Sequence, residues 1–240
     1  MRVTYIHHSG FCIELGHSVF FFDYVEDPAG VASSICTEGK NVFFVVSHRH
    51  PDHFSPAIFS QGEKIGKAKF ILSNDLRKIR HLPVPQEQSD DVFFIKSKES
   101  LSFGDVRFNA FPSTDIGISL SVETEGTTIF HAGDLNLWHW KDESTADEIK
   151  WATGTFRAAL RAIASKHQSF DVAMFPVDAR QGSDYEEGAR IFLQEFNVKH
   201  FFPMHFWDQP ATTLHYERYR NPEYGQCVTL QHPGDSLLIE

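Results

Sequence analysis

The sequence predicts an α/β fold in which short strands alternate with a few helices, and three observations carry that expectation. Short runs of β-branched and aromatic residues, each stopped by glycine, proline or a polar cluster, recur along the chain. Two stretches place apolar residues three and four positions apart, the spacing of one helix face. Strands followed by helix occur in both halves, and 240 residues with 41% hydrophobic content suffice for a sizeable core. One domain over residues 1–240 is expected. The 23 phenylalanines fall mostly in the strand-like runs, so large aromatics are expected to fill the sheets.

Residues 3–7, 11–15 and 18–23 read as a three-stranded antiparallel meander punctuated by Gly10 and Gly16, and residues 42–46 as a buried strand. Ser55 and Pro56 predict an N-cap and first helical position, with a short helix through Phe59. Strands at 69–72 and 92–96 flank a short helical stretch at 75–80, and His81 beside it reads as a surface residue. Residues 106–111, 118–123 and 127–131 read as antiparallel strands, with turns at Gly104-Asp105 and Glu125-Gly126. The helix within 144–167 carries Ile149, Ala152, Phe156, Leu160 and Ile163 on one face.

Residues 172–177 form a buried strand ending at Asp178 and Arg180. These two are expected to pair, the other reading being Arg180 facing an anionic substrate. Ser183 and Glu186 read as a capping box for a helix with Tyr185, Ala189, Phe192 and Phe196 on one face. Residues 199–203 give the next strand, followed by His205. Residues 227–230 and 236–239 read as two strands around the turn His232-Pro233-Gly234-Asp235.

Just after the strand at 42–46 stands His48-x-His50-x-Asp52-His53, three imidazoles and a carboxylate within six residues. Alternate residues on an extended segment point the same way, so His48 and His50 are placed to share one ion. Asp52 and His53, past the kink at Pro51, turn toward a second. Neutral imidazole with carboxylate suits zinc, manganese or iron, and the absence of cysteine here argues against a closed structural zinc site.

This motif after a strand resembles that of the metallo-β-lactamase superfamily, and more narrowly its branch of ascorbate-phosphate lactonase-like metal-dependent hydrolases. The resemblance covers nearly the whole chain and implies a four-layer αββα sandwich. In Phe130-His131-Ala132-Gly133-Asp134 it implies that Asp134 bridges two ions, and in Met204-His205-Phe206 that His205 is the last ligand of the second ion. Where the family has a further histidine this chain has Phe111-Pro112-Ser113-Thr114-Asp115. Asp115 is then the expected substitute ligand of the first ion, or part of a capped turn. His8-Ser9-Gly10 falls on a family motif beside the site, which makes His8 either a group that supports the ligands or contacts substrate, without being a ligand itself, or a strand-end histidine satisfied by backbone. Asp23 is read as a turn former, the alternative being an acceptor that fixes the tautomer of a ligand histidine. His131 either lines the cavity or is buried and hydrogen-bonded. Trp138, His139 and Trp140 form either an aromatic wall over the substrate or core packing.

The expected activity is therefore dinuclear metal-dependent hydrolysis. His48, His50 and Asp115 would hold one divalent ion and Asp52, His53 and His205 the other, with Asp134 between them. Zinc is expected first, and manganese or iron are alternatives. A hydroxide shared by the ions would attack an ester, lactone, amide or phosphoester, and the resemblance gives Asp52 a role in orienting it. The rivals are an iron-dependent redox enzyme on the same scaffold and a metal-binding regulatory protein without turnover. A formal net charge of −10 with no basic block disfavours nucleic acid, and no apolar run reaches the length of a membrane span, so the expected partner is a small-molecule substrate. Three widely spaced cysteines predict no disulfide framework, and with no signal-peptide pattern a cytoplasmic location is expected.

Overall fold

The computed structural model describes residues 1–213 and 225–240, and within it the chain divides into two units. The first comprises Met1–Lys96 and Leu230–Glu240, the second Ser97–Thr229. In the first unit the strands are β1 (Arg2–His7), β2 (Gly10–Glu14), β3 (Ser18–Phe22), β4 (Asn41–Val46), β5 (Ala68–Ser73), β6 (Val92–Ile95) and β14 (Ser236–Leu238). They form one sheet in the order β14-β1-β2-β3-β4-β5-β6. Its left part is antiparallel, as the meander predicts, and from β3 to β6 it is parallel. Helices α1 (Val31–Ser34) and α2 (Ala57–Ile65) occupy two of the connections.

Parallel strands buried on both faces read as continuous apolar runs rather than alternating ones, which accounts for Phe20-Phe21-Phe22 and Phe43-Phe44-Val45-Val46. Register pairs Phe20 with Phe43, and Phe21 with Phe44, which in turn pairs with Phe70. Their rings stack at centroid distances of 5.3, 4.9 and 5.6 Å. Helix α2 packs Phe59 against Phe70 (4.9 Å), an approach that depends on Gly62, where a Cβ would fall 2.4 Å from the Phe70 ring.

In the second unit the strands are β7 (Ser100–Phe103), β8 (Val106–Pro112), β9 (Ile118–Thr124), β10 (Thr127–His131), β11 (Ser169–Pro176), β12 (Asn197–Met204) and β13 (Gln226–Cys227). They are ordered β13-β12-β11-β10-β9-β8-β7. Again an antiparallel meander, β7 to β10, passes into parallel strands. Helices α3 (Ala146–Ala164) and α4 (Glu187–Glu195) belong to this unit. Helix α3 buries Ala152, Phe156, Leu160 and Ile163 as its periodicity predicts, and Ala159 with them. Phe192 of α4 sits among Phe130, Phe170, Phe175 and Phe196 at 4.7–6.2 Å.

Four local expectations are corrected. The helix after Ser55-Pro56 runs on to Ile65 instead of stopping at Phe59. The capping box is at Thr145 and Glu148, whereas Ser183 bonds Asp142 and α4 starts without a side-chain cap. The stretch at 75–80 is a 3-10 turn over Asn74–Lys78. The two C-terminal strands are not paired with each other: β13 is only two residues long and joins β12, while β14 joins β1.

Strand direction decides where chemistry can gather. In the first sheet β1, β3 and β4 run the same way, so the residues that follow them, His8, Asp23 and Ser47–His53, emerge at one edge. In the second sheet β8, β10, β11 and β12 share a direction, and the residues that follow them include Asp115, Asp134, Asp178 and His205. The carboxyl ends of parallel strands are where such sheets place their sites.

Candidate metal centre

In the first unit the organising group is Asp23. Its backbone has φ 40°, a left-handed conformation at the end of β3, and its side chain is 1% exposed. Oδ1 accepts the Ser47 backbone N–H (2.7 Å), and Oδ2 accepts the Ser47 hydroxyl (2.6 Å) and His53 Nδ1 (2.7 Å). The Ser47 hydroxyl has one proton, given to Asp23, so it accepts from His48 Nδ1 at 3.0 Å. Both His48 and His53 therefore carry their proton on Nδ1 and keep Nε2 as a lone-pair donor. The turn-forming reading of Asp23 is thereby replaced by the orienting one.

The remaining donors stand at distances that suit shared ions. Two ligand atoms each about 2.1 Å from one ion are about 3.0–3.4 Å apart at octahedral or tetrahedral angles. His48 Nε2 and His50 Nδ1 are 3.0 Å apart. His8 Nε2 lies 3.4 Å from Asp52 Oδ2, at the end of that range, and His53 Nε2 lies beyond it at 3.9 Å; His8, Asp52 and His53 each offer a ligand atom within 4.8 Å of the others. Burial opposes the charge on Asp52, but the hydrogen bond from His8 and the charge of His53 outweigh it and hold the carboxyl well below the usual range.

In the second unit His205 repeats the arrangement. Its Nδ1 donates to Asp178 Oδ2 at 3.0 Å, and its Nε2 lies 3.5 Å from Asp134 Oδ1. Asp178, 1% exposed, also accepts from the backbone and side chain of Arg180. Burial resists its ionisation, while the bonds from His205 and Arg180 outweigh burial and keep its pKa low. The expected Asp178–Arg180 pair is thus present, and Arg180 in turn lies over the Trp207 ring at 4.6 Å. Asp134 follows Gly133, whose φ is 53°. Trp138 Nε1 donates to the Asp134 carbonyl (2.7 Å), and its ring lies 5.7 Å from His205 and 6.4 Å from Trp140, so Trp138 lies against the histidine and stacks on the second tryptophan.

Asp115 is exposed, with its backbone N–H on Ser113 Oγ at 3.4 Å. Its loop is tied to the segment after Asp134 by Thr114, whose hydroxyl donates to the Asn136 carbonyl at 2.6 Å, and Asp115 and Asp134 offer ligand atoms within 4.8 Å of each other. His131 is buried and accepts the Gly133 N–H at 3.1 Å, which is the hydrogen-bonded reading. Two groups escape sequence reasoning: Ser47, and the contact of Asp178 with His205. The second is implicit in strand order, since β11 and β12 pair in parallel with Pro176 opposite Met204.

Carboxylate-oriented histidines, with further carboxylates at coordination distance, suit divalent cations. Two mixed sheets with flanking helices bearing such donors define a metal-binding protein of the αββα class. The family model described as a beta-lactamase superfamily domain matches residues 2–205, and the chain belongs to that family. No curated protein sequence matches. Among solved structures the chain is similar to Igni18, a metallo hydrolase from the archaeon Ignicoccus hospitalis KIN4/I, at 17% identity and TM-score 0.65 over 100% of this chain and 98% of that one. It is also similar to the metallo-beta-lactamase fold protein YhfI from Bacillus subtilis (12%, TM-score 0.64, 98% of each chain). A third is CmlA, a diiron beta-hydroxylase from Streptomyces venezuelae (12%, TM-score 0.64), of which the match covers 99% of this chain and 54% of that one. At these identities the likeness is one of fold. Among the described residues no helix is long and apolar enough to cross a membrane.

Proposed function

We propose that the chain is a dinuclear metal-dependent hydrolase acting on a small ester, lactone or phosphoester. The reading assigns His48, His50 and Asp115 to one ion and Asp52, His53 and His205 to the other, with Asp134 between them. The observation that carries it is the repeated pairing of a buried carboxylate with histidine Nδ1, Asp23 with His53 and Asp178 with His205, which leaves Nε2 as the donor in each. Divalent ions in such a site supply Lewis acidity toward water and toward the oxygen on which charge develops. The protein's own part is to hold the donors: Asp23 and Ser47 fix two tautomers, and Asp178, anchored by Arg180, fixes a third. Trp138, stacked on Trp140, offers an apolar wall beside His205, and Asp52 orients the attacking water.

Zinc is the first choice of metal, and the mixed histidine and carboxylate set also admits manganese and iron. The narrower lactonase-like reading supplies the substrate class, a small lactone or phosphorylated metabolite in the cytoplasm. The test is turnover of ester, lactone and phosphoester panels by protein loaded with each metal, beside an Asp134→Asn control. Hydrolysis that the control lacks supports the reading. Oxygen uptake by the iron-loaded protein, with no hydrolysis, would instead favour the redox chemistry named for CmlA.

A further inference from the structure

His8 has no part in the ligand sets above. It is the first residue of the two-residue turn that joins β1 to β2, where His7 pairs with Gly10. Its φ is 54°, and Ser9 beside it is not in the left-handed region. A turn with positive φ at that position is cheapest for glycine, so a histidine there is held against a local preference. Backbone strain of this kind collects at functional positions. Asp23 (φ 40°) and His205 (φ 61°) share the same conformation. The hairpin tip is pressed close to Asp23, since a Cβ on Gly10 would lie 3.1 Å from the Asp23 carbonyl.

That turn brings the imidazole of His8, 5% exposed, to 5.7 Å from the His53 ring, edge to face, and its Nε2 to 3.4 Å from Asp52 Oδ2. This separation matches that of two donors on one ion. We propose that His8 is a direct metal donor, binding through Nε2 the ion held by Asp52 and His53. The inference rests on the dinuclear reading and deepens it. The second ion then has His8, Asp52, His53 and His205, a set richer in nitrogen than His48, His50 and the exposed Asp115. It is therefore the tighter site and the first to fill.

The test is titration of the metal-free protein with Co(II), following the visible cobalt absorption and competition with a chromophoric chelator. Wild type, His8→Gly and His8→Asp are compared. Glycine suits the turn, so His8→Gly keeps or raises the melting temperature of the metal-free protein and a loss of binding cannot be ascribed to misfolding. Wild type is expected to bind two cobalt ions, the first more tightly. In His8→Gly the tighter ion is expected to weaken on the order of 10–100-fold with a changed cobalt spectrum, and His8→Asp is expected to recover part of the affinity. Two ions bound by His8→Gly with unchanged affinities and spectrum would overturn the proposal while the dinuclear reading stood. A wild type that binds no cobalt would overturn both.

Discussion

Asp23→Asn separates orientation of a ligand from mere stability. The substitution keeps the shape of the side chain and leaves Oδ1 to accept the Ser47 N–H, but it puts an NH2 group where Oδ2 now meets two donors, at 2.6 and 2.7 Å. Hydrogen bonds to a charged group contribute about 1.5–3 kcal/mol each. The new NH2 group can donate to the Ser47 hydroxyl oxygen and recover part of the loss, so metal-free Asp23→Asn should be about 2–4 kcal/mol less stable. Against a stability of about 5–15 kcal/mol for an ordinary domain it still folds. His53, deprived of its acceptor at Nδ1, moves its proton to Nε2 and no longer presents a lone pair, so metal affinity should fall about 10–100-fold. Urea denaturation of metal-free protein reads the first quantity and chelator competition the second. A stability loss with unchanged metal affinity would refute the claim that Asp23 orients a ligand.

Asp178→Ala should lower metal affinity by a similar 10–100-fold factor, and Arg180→Ala by less, because His205 keeps its acceptor; isothermal titration with zinc ranks the two. Burial pushes the His167 imidazole below its ordinary pKa, partly offset by Glu123. Its contribution to stability is thus complete above the unfolded value of about 6.5 and is lost as pH falls below it toward the lower folded value. The melting temperature of His167→Gln should accordingly depend less steeply on pH just below 6.5 than that of wild type. Phe192→Ala, which removes a fully buried ring from among Phe130, Phe170, Phe175 and Phe196, should cost about 3–5 kcal/mol in denaturant unfolding.

The strands were legible because Phe-rich runs such as residues 42–46 have no other stable use, and the histidine motif because its spacing follows strand geometry. What escaped depends on partners distant in sequence. Asp23 looks like a turn residue until His53, thirty positions on, reaches its carboxylate. Asp178 shows its pairing with Arg180 locally, whereas its contact with His205 exists only through the parallel register of β11 and β12. Thr145-x-x-Glu148 and Ser183-x-x-Glu186 carry the same capping pattern, and Asp142 decides between them by taking the Ser183 hydroxyl and N–H. The short β13 reflects the same limit, since a two-residue strand takes its place from β12 rather than from its own sequence. His8 is visible as a residue near the site, but its approach to Asp52 depends on a positive φ that no sequence pattern prescribes.

The central claim is a dinuclear centre, and metal content per chain tests it most directly. Elemental mass spectrometry on protein purified without chelators or an affinity metal should give two divalent ions per chain. One ion per chain would mean that Asp115 does not replace the missing histidine, and none would contradict the account.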